Sequence, residues 1–406
     1  MMQEATKSSG FNTTIEVDKA ALRQYRLRRV QQELRRRDIA ATVLYDPINI
    51  RYVTDVSNMQ VYSLHNPCRY VFVAADGPVV LFDFKGCAHL SDGIEVVDEV
   101  RAAVSWYHFV TGSRVAEKVV VWADQIDALL TRYGSGNRRI AADRLDPAGV
   151  WALAKRNISL LDGQELMGMA RVIKSPEEIR AIQAVIAVCE EGMRRMQAAL
   201  NPGLTENQVW SILHQTNIEL GGEWIETRLL TSGPRTNPWY QECSNRAIEA
   251  GDFVALDSDL IGPCGYTADI SRTWLVGDVK PTDEQRRLYS IAHEQLQRNI
   301  ELLKPGVSFK EISLKAWTPP EPYLAYMLPS VAHGAGLVNE YPLILHETYF
   351  DKDGYDGELT ENMALCVESY VGEIGGREGV KLEEQVLVTA QGPILLSTYG
   401  FEEQWL

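Results

Sequence analysis

A two-domain chain of mixed α/β (α+β) class is predicted by three features of the sequence. Strand-like and helix-like stretches alternate up to about residue 160. A helix-start signal falls at 175–178. Beyond it, amphipathic helical stretches are interleaved with apolar, strand-like runs that acidic residues interrupt. At 406 residues the chain is long enough for two domains with a large core, and 45% hydrophobic and 23% charged residues describe an ordinary globular protein. The expected domains are 1–165, an α/β N-terminal domain, and 166–406, a second domain that carries the acidic strand-like runs.

The elements follow in order. Residues 18–37 read as an amphipathic helix carrying Arg23, Arg26, Arg28, Arg29, Arg35, Arg36 and Arg37. A basic patch for membrane or nucleic acid is one reading, but Glu33 and Asp38 are interspersed and the chain is acidic overall, which favours a solvated helix face. Strands are expected at 40–45, 69–73 and 78–83, with a turn at Asp46 and Pro47. Ser175 as N-cap, Pro176 at the first helical position and Glu178 three residues on form a capping-box pattern. The helix that follows carries Ile179, Ile182, Val185, Ile186, Cys189 and Met193 at helical spacing, a core stripe. Further helices fit 205–220 and 283–303.

The most informative residues are carboxylates inside apolar runs. Asp257, Asp259 and Asp269 lie within thirteen positions, and Glu368 and Glu383 interrupt two late strand-like runs. One histidine, His333, accompanies them in an Ala-His-Gly-Ala-Gly stretch. A single such residue is usually a surface group. Several on runs that otherwise read as buried are different, because burying unpaired carboxylates costs many kcal/mol and a cation is the natural partner. Oxygen donors joined by one imidazole suit a pair of divalent transition-metal ions, Fe, Mn, Co or Zn, whose mutual repulsion bridging carboxylates offset.

The order Asp…Asp-Ile-Ser-Arg-Thr…His-Gly-x-Gly…Glu…Glu-Glu-x-Val resembles the M24 "pita-bread" superfamily of methionine aminopeptidases, prolidases, aminopeptidase P and creatinase. The resemblance covers about 166–406, and the N-terminal part is similar to the creatinase/prolidase N-terminal domain. It implies Asp257, Asp269, His333, Glu368 and Glu383 as metal ligands and two metal ions, with Fe first among them. Most relatives space the two aspartates eleven apart; here Asp257 and Asp269 are twelve apart, with Asp259 as an extra carboxylate. That variant is similar to the branch of DddP-type dimethylsulfoniopropionate (DMSP) lyases, in which the resemblance implies six ligands. The Ser232–Trp239 and 58–66 stretches also look like that branch.

Peptidase relatives usually keep a histidine after the Ser-Gly turn and another beyond the ligand histidine. The stretch from Thr231 to Cys243 has none, and His346 does not match the second spacing. Without those imidazoles a peptide carbonyl is harder to polarise, so Xaa-Pro dipeptidase activity is demoted. The lyase substrate joins a carboxylate to a sulfonium. Arg235 is the candidate for the carboxylate, and Tyr62, Trp239 or Tyr240 for the onium group through cation–π attraction worth ~0.5–2 kcal/mol each. The location of Trp239 in a Pro- and Arg-containing loop favours a ring open to ligand.

Two positions depart from the lyases, where the base is an Asp six residues after the ligand histidine and a Tyr stands five before it. Asn339 and Leu328 occupy these places. An amide cannot serve as general base, so Glu340, Tyr341 or a metal-bound hydroxide is the substitute candidate. The first expectation is therefore metal-assisted β-elimination of DMSP to acrylate and dimethyl sulfide. The second is C–N hydrolysis of a small betaine-like or cyclic amide substrate, as in creatinase or ectoine hydrolase. A non-catalytic binding module is the third. The net charge of -15 argues against nucleic acid. No run approaches the ~20 apolar residues of a membrane span, and residues 1–7 lack an apolar leader core. Six scattered cysteines point to a reduced, cytoplasmic protein, and the resemblance implies a homodimer.

Overall fold

The computed structural model describes residues 15–406, so the 1–7 segment read above for a leader lies outside the described residues. The chain forms two compact units, Asp18–Ser175 and Pro176–Leu406. Among the described residues no helix is long and apolar enough to cross a membrane.

The first unit is a six-stranded mixed sheet. Its strands are β1 (Ala41–Leu44), β2 (Tyr70–Ala74), β3 (Val79–Asp83), β4 (Glu99–Ala102), β5 (Arg139–Ala142) and β6 (Ser159–Asp162), in the order β4-β3-β2-β1-β5-β6. The hairpin β2–β3 is antiparallel, whereas β1–β5 and β5–β6 are parallel and need crossover helices. The central strands are buried along their whole length, as a sheet covered on both faces requires. Tyr45, Tyr70 and Phe82 stack in series at 5.0 and 4.4 Å, and Trp122 from the helix Val115–Tyr133 packs against them.

Two local expectations are corrected here. Asp46 and Pro47 open a helix, Pro47–Thr54, rather than a plain turn: Asp46 Oδ1 accepts the Ile48 N–H at 2.9 Å and Pro47 takes the first helical position. The arginines of the helix Lys19–Arg36 form a solvated face only in part: Arg28, Arg35 and Arg36 are exposed, and the others turn inward. Arg26 is fully buried beside Asp55, Arg23 pairs with Glu95 at 2.7 Å, and Arg29 donates to the carbonyls of Met169 and Ala170. These guanidiniums hold the unit together internally.

In the second unit the predicted helices form as Pro176–Ala199, Glu206–Glu219 and Asp283–Ile300. The latter two begin with complete capping boxes, Thr205 with Gln208 and Thr282 with Gln285. Ile182, Val185, Ile186, Cys189 and Met193 are all buried, as their spacing predicts, whereas Ile179, in the first turn, is only half-buried. Glu178 is buried as well and accepts a hydrogen bond from the Tyr266 hydroxyl at 2.9 Å.

Three sheets follow. One is β7 (Trp224–Ile225), β10 (Leu260–Ile261) and β11 (Thr267–Ala268); the next is β8 (Leu230–Ser232), β9 (Phe253–Asp257) and β12 (Ser271–Leu275). The largest is β13 (Ser330–Ala335), β14 (Asn339–Leu345), β15 (Ala364–Gly372), β16 (Gly379–Thr389) and β17 (Gly392–Leu395), ordered β14-β13-β15-β16-β17. All pairings in these sheets are antiparallel. The strand β16 is buried throughout, although it carries Lys381, Glu383 and Glu384. Charges so placed need partners, and they identify the site.

Candidate metal centre

Strand register gathers the acidic residues. Asp257 ends β9, directly opposite Ser271 of β12, and Asp269 lies just before β12. Glu368 of β15 faces Glu383 of β16, and two residues earlier on β15 Cys366 faces His333 of β13. Cross-strand partners share a face, and alternate residues of one strand do too. Cys366 and Glu368 on β15, Lys381, Glu383 and Gln385 on β16, and His333 on β13 therefore belong to one sheet face. Asp259 has a left-handed backbone (φ 39°), a conformation that Asp tolerates better than most residues. Its carboxylate groups with those of Asp257 and Asp269, oxygen atoms from all three lying within 4.8 Å of one another. The six sequence-predicted ligand candidates thus occupy one region of this unit.

Contacts within the cluster are dense. His333 Nε2 lies 3.4 Å from Glu383 Oε1 and 3.6 Å from Asp269 Oδ2. Ser271 Oγ is 2.8 Å from both Asp257 Oδ1 and Glu383 Oε2. The Thr227 hydroxyl donates to Asp259 at 2.7 Å, and the Ser330 hydroxyl donates to Glu368. Lys381 was not singled out in the sequence. Its buried ammonium sits 2.7 Å from Glu383, 3.2 Å from Glu368 and 3.4 Å from Asp257. Its position two residues before Glu383 on an alternating strand was the available signal. A lysine in a strand ordinarily reads as a solvent-facing residue, and that concealed it.

The electrostatics show a cluster short of positive charge. Burial and the neighbouring carboxylates of Asp259, Glu383 and Asp257 push Asp269 well above the usual carboxylate range. Burial and Asp257 raise Asp259 to about 7. Burial also raises Glu383, against the pull of Lys381. Burial would lower His333, but Glu383 and Glu368 outweigh it and bring the imidazole up to about 9. Asp257 alone is drawn down: burial opposes ionisation there, and Lys381 with the hydrogen bonds it receives prevails. Asp269 Oδ1 and Glu383 Oε1 are buried with no hydrogen-bond partner. One lysine and one histidine do not balance five carboxylates, and orphaned buried oxygens are what divalent cations satisfy. The residues therefore fit metal ions.

The other predicted residues fall in differing places. Tyr240 is 67% exposed as a residue. Its hydroxyl pKa is raised by partial burial first and then by the field of Glu368, which places the phenol end beside the cluster. Trp239 corrects the expectation of an open ring. It is buried, stacks on Tyr370 at 5.8 Å and packs with Ala255 and Leu328, because the loop folds onto β15. Arg235 is engaged by the protein, 3.5 Å from buried Glu206 at the start of the helix Glu206–Glu219 and donating to the Glu242 carbonyl at 2.6 Å, so it braces the loop instead of offering an open fork. Tyr62 lies in the other unit, on the helix Gln60–His65, half-exposed and bonded to Tyr107.

Glu340 pairs with Gly334 and Asn339 with Ala335, across an irregularity in which β14 carries extra residues. Gly334 is adjacent to His333, so alternation turns Glu340 to the opposite face from His333. Its carboxylate accepts the Leu337 N–H at 2.8 Å and closes the hairpin. One oxygen of the candidate base Glu340 is thus committed to the hairpin. Asn339 is on the His333 face and is exposed. The hairpin also explains Gly334, where a Cβ would run into the Tyr341 carbonyl.

Residues 180–390 match the sequence pattern of metallopeptidase family M24. The chain belongs to that family, and its second unit has the pita-bread fold. It is 38% identical over 390 residues to a protein named dimethylsulfoniopropionate lyase DddP from Roseovarius nubinhibens, covering 95% of this chain and 87% of that one. A protein of the same name from Roseobacter denitrificans is 38% identical over 392 residues, with the same coverage. Among solved structures, an Xaa-Pro dipeptidase from Bacillus anthracis superposes with a TM-score of 0.76 at 20% identity, covering 94% of this chain and 99% of that one. A prolidase from Pyrococcus horikoshii gives 0.73 at 21%, covering 93% and 99%. These last two are likenesses of fold.

Proposed function

We propose that this protein is a metal-dependent lyase that cleaves DMSP to acrylate and dimethyl sulfide. The observation that carries the reading is identity of 38% along 95% of the chain to two proteins named for that activity. Solved peptidases resemble the chain in fold at only about half that identity. In this reading Asp257, Asp259, Asp269, His333, Glu368 and Glu383 hold two divalent ions, iron first, with Mn, Zn or Co also accepted by such donors. When bound, the ions supply positive charge that grips the substrate carboxylate and stabilises negative charge developing beside it. Lys381 steadies Asp257, Glu368 and Glu383 in one arrangement. Tyr240 offers its ring to the sulfonium. Residues 1–165 serve as the creatinase-like domain and 166–406 as the catalytic one. A homodimer and a cytoplasmic setting belong to the same reading, the latter supported by six unpaired cysteines.

Elimination needs a base for the proton α to the carboxylate. Asn339 has the right face but the wrong functional group, and Glu340 the reverse. That mismatch favours a second reading, metal-assisted C–N hydrolysis of another small molecule joining a carboxylate to a cationic or polar head. Purified, iron- or manganese-loaded protein should be offered DMSP, creatine, ectoine and Xaa-Pro dipeptides in parallel. Dimethyl sulfide in the headspace supports the lyase; turnover confined to an amide or guanidino substrate replaces it with the hydrolase.

A further inference from the structure

Cys366 is fully buried on the same face of β15 as Glu368, paired across the sheet with His333. Its Sγ, a His333 ring nitrogen and carboxylate oxygens of Asp269 and Glu383 all lie within 4.8 Å of one another. Two of the buried oxygens in this quartet, Asp269 Oδ1 and Glu383 Oε1, have no hydrogen-bond partner. Lys381 contacts the other Glu383 oxygen, so the Oε1 side is the one left to His333. The hydrogen bond of the thiol to the Asp269 carbonyl, at 3.8 Å, is long and leaves the sulfur lone pairs unspent. An ion about 2.0–2.3 Å from each donor keeps donors within ~4.5 Å of one another, a small adjustment from this geometry.

We propose that Cys366 is a sulfur donor to the cation at the Asp269–His333–Glu383 position, giving that half of the centre a preference for thiophilic ions. The inference rests on the metal-centre reading above. Binding exchanges the S–H bond for a sulfur–metal bond: the thiol loses its proton to solvent, the sulfur keeps the electron pair and shares it with the divalent ion, and nothing is oxidised. Burying a neutral thiol among carboxylates costs little, whereas a thiolate there is stable only against a cation. A soft donor added to oxygen and imidazole shifts selectivity toward Zn, Co or Fe and away from Mn.

The test loads the full-length protein with Co(II) and records its absorption spectrum beside its metal content. The wild type should show d–d bands from bound cobalt together with a near-ultraviolet thiolate-to-cobalt charge-transfer band. Cys366→Ser should keep the first and lose the second, with its preference for zinc over manganese reduced roughly tenfold or more. If the serine variant does not fold, X-ray absorption on zinc-loaded wild type decides through a sulfur scatterer at about 2.3 Å. Cobalt bound without any sulfur signature overturns the proposal while leaving the metal centre intact. A wild type that binds no cobalt, zinc, iron or manganese overturns the metal centre itself, and the proposal with it.

Discussion

Asp143 and Asp269 are both buried aspartates, one in each compact unit, and their surroundings are built in opposite ways. Asp143 accepts the backbone N–H groups of Tyr45 at 2.8 Å, Asp46 at 3.1 Å and Arg144 at 2.7 Å, and the Asn49 amide at 2.9 Å. Burial raises its pKa, but these donors work against the rise, and the carboxylate ties β1 to β5. The Asp269 carboxylate lacks such a set of donors: its Oδ2 has His333 Nε2 at 3.6 Å, and its Oδ1 has no hydrogen-bond partner. One carboxylate is saturated by the protein and acts as a joint. The other is surrounded by more carboxylates and is completed by an ion from outside. Burial alone does not distinguish a structural acid from a functional one; the count of donors does.

The strongest way to break that contrast is to remove the second kind. Asp269→Ala and Glu383→Ala are each expected to abolish metal retention and reduce turnover to background, while the fold survives because a mutually repelling group has gone. Elemental analysis after dialysis, read beside turnover, checks this. Retention of two ions by Asp269→Ala would mean that the orphaned oxygen is not a ligand. A gain of function comes next. Asn339→Asp places a carboxylate on the His333 face of the hairpin, and a positioned base is worth roughly 10²–10⁴ in rate. DMSP cleavage should rise on that scale, whereas Glu340→Gln should change it little because Glu340 faces away. A large loss in Glu340→Gln would instead restore Glu340 as the base.

Asp143→Ala should do the reverse of Asp269→Ala. Stranding buried N–H donors is expected to destabilise the Asp18–Ser175 unit by about 3 kcal/mol, with metal content unchanged. Denaturant unfolding followed through Trp106 and Trp122 fluorescence reads the loss, and an unaltered midpoint would remove Asp143 from its role as a joint.

Much of this contrast was legible in the chain. Asp257, Asp269, Glu368 and Glu383 stood out because each interrupts an apolar run, and the period of two along β16 was enough to send Glu383 and Glu384 to opposite faces. Glu384 duly meets buried Arg272, a dedicated partner, and Glu383 faces the cluster. What stayed hidden depended on distant pairings. Trp239 looked open because its loop is polar, and the residue that covers it, Tyr370, is far along the chain. Glu340 looked close to His333 until extra residues in β14 set its face. Cys366 shares the alternation of Glu368, but small apolar-like residues on a strand read as core.

His346 offers a third buried case, a group with neither donors enough nor an ion. It is 1% exposed, its Nδ1 has no partner, and burial depresses its pKa to about 4, with Glu368 only partly opposing. Above about pH 6.5 it is neutral in both folded and unfolded chains and has no effect on stability's slope. As pH falls from 6.5 toward 4 the unfolded chain takes up a proton that the folded chain refuses, so stability is lost through that window, by roughly 3 kcal/mol at most. His346→Leu should flatten that part of the curve of melting temperature against pH. An unchanged acid limb would assign it to the carboxylates alone.

The smallest expected effect bears on the substrate. Tyr240 stands at the edge of the cluster with its ring largely exposed and its hydroxyl end in the negative field of Glu368. A cation arriving with its carboxylate directed at the metal centre would meet the face of that ring, and such contacts are worth ~0.5–2 kcal/mol, about a 2- to 30-fold change in binding. Tyr240→Ala should therefore raise KM for DMSP by that factor with kcat little altered, and Tyr240→Phe should restore most of the affinity because the ring, not the hydroxyl, supplies the attraction. A neutral analogue in which carbon replaces the sulfonium should be insensitive to both changes. If Tyr240→Phe is as damaging as Tyr240→Ala, the phenol acts through its hydroxyl. The residue then belongs with the hydrogen-bonding groups of the centre, and the onium must be recognised elsewhere.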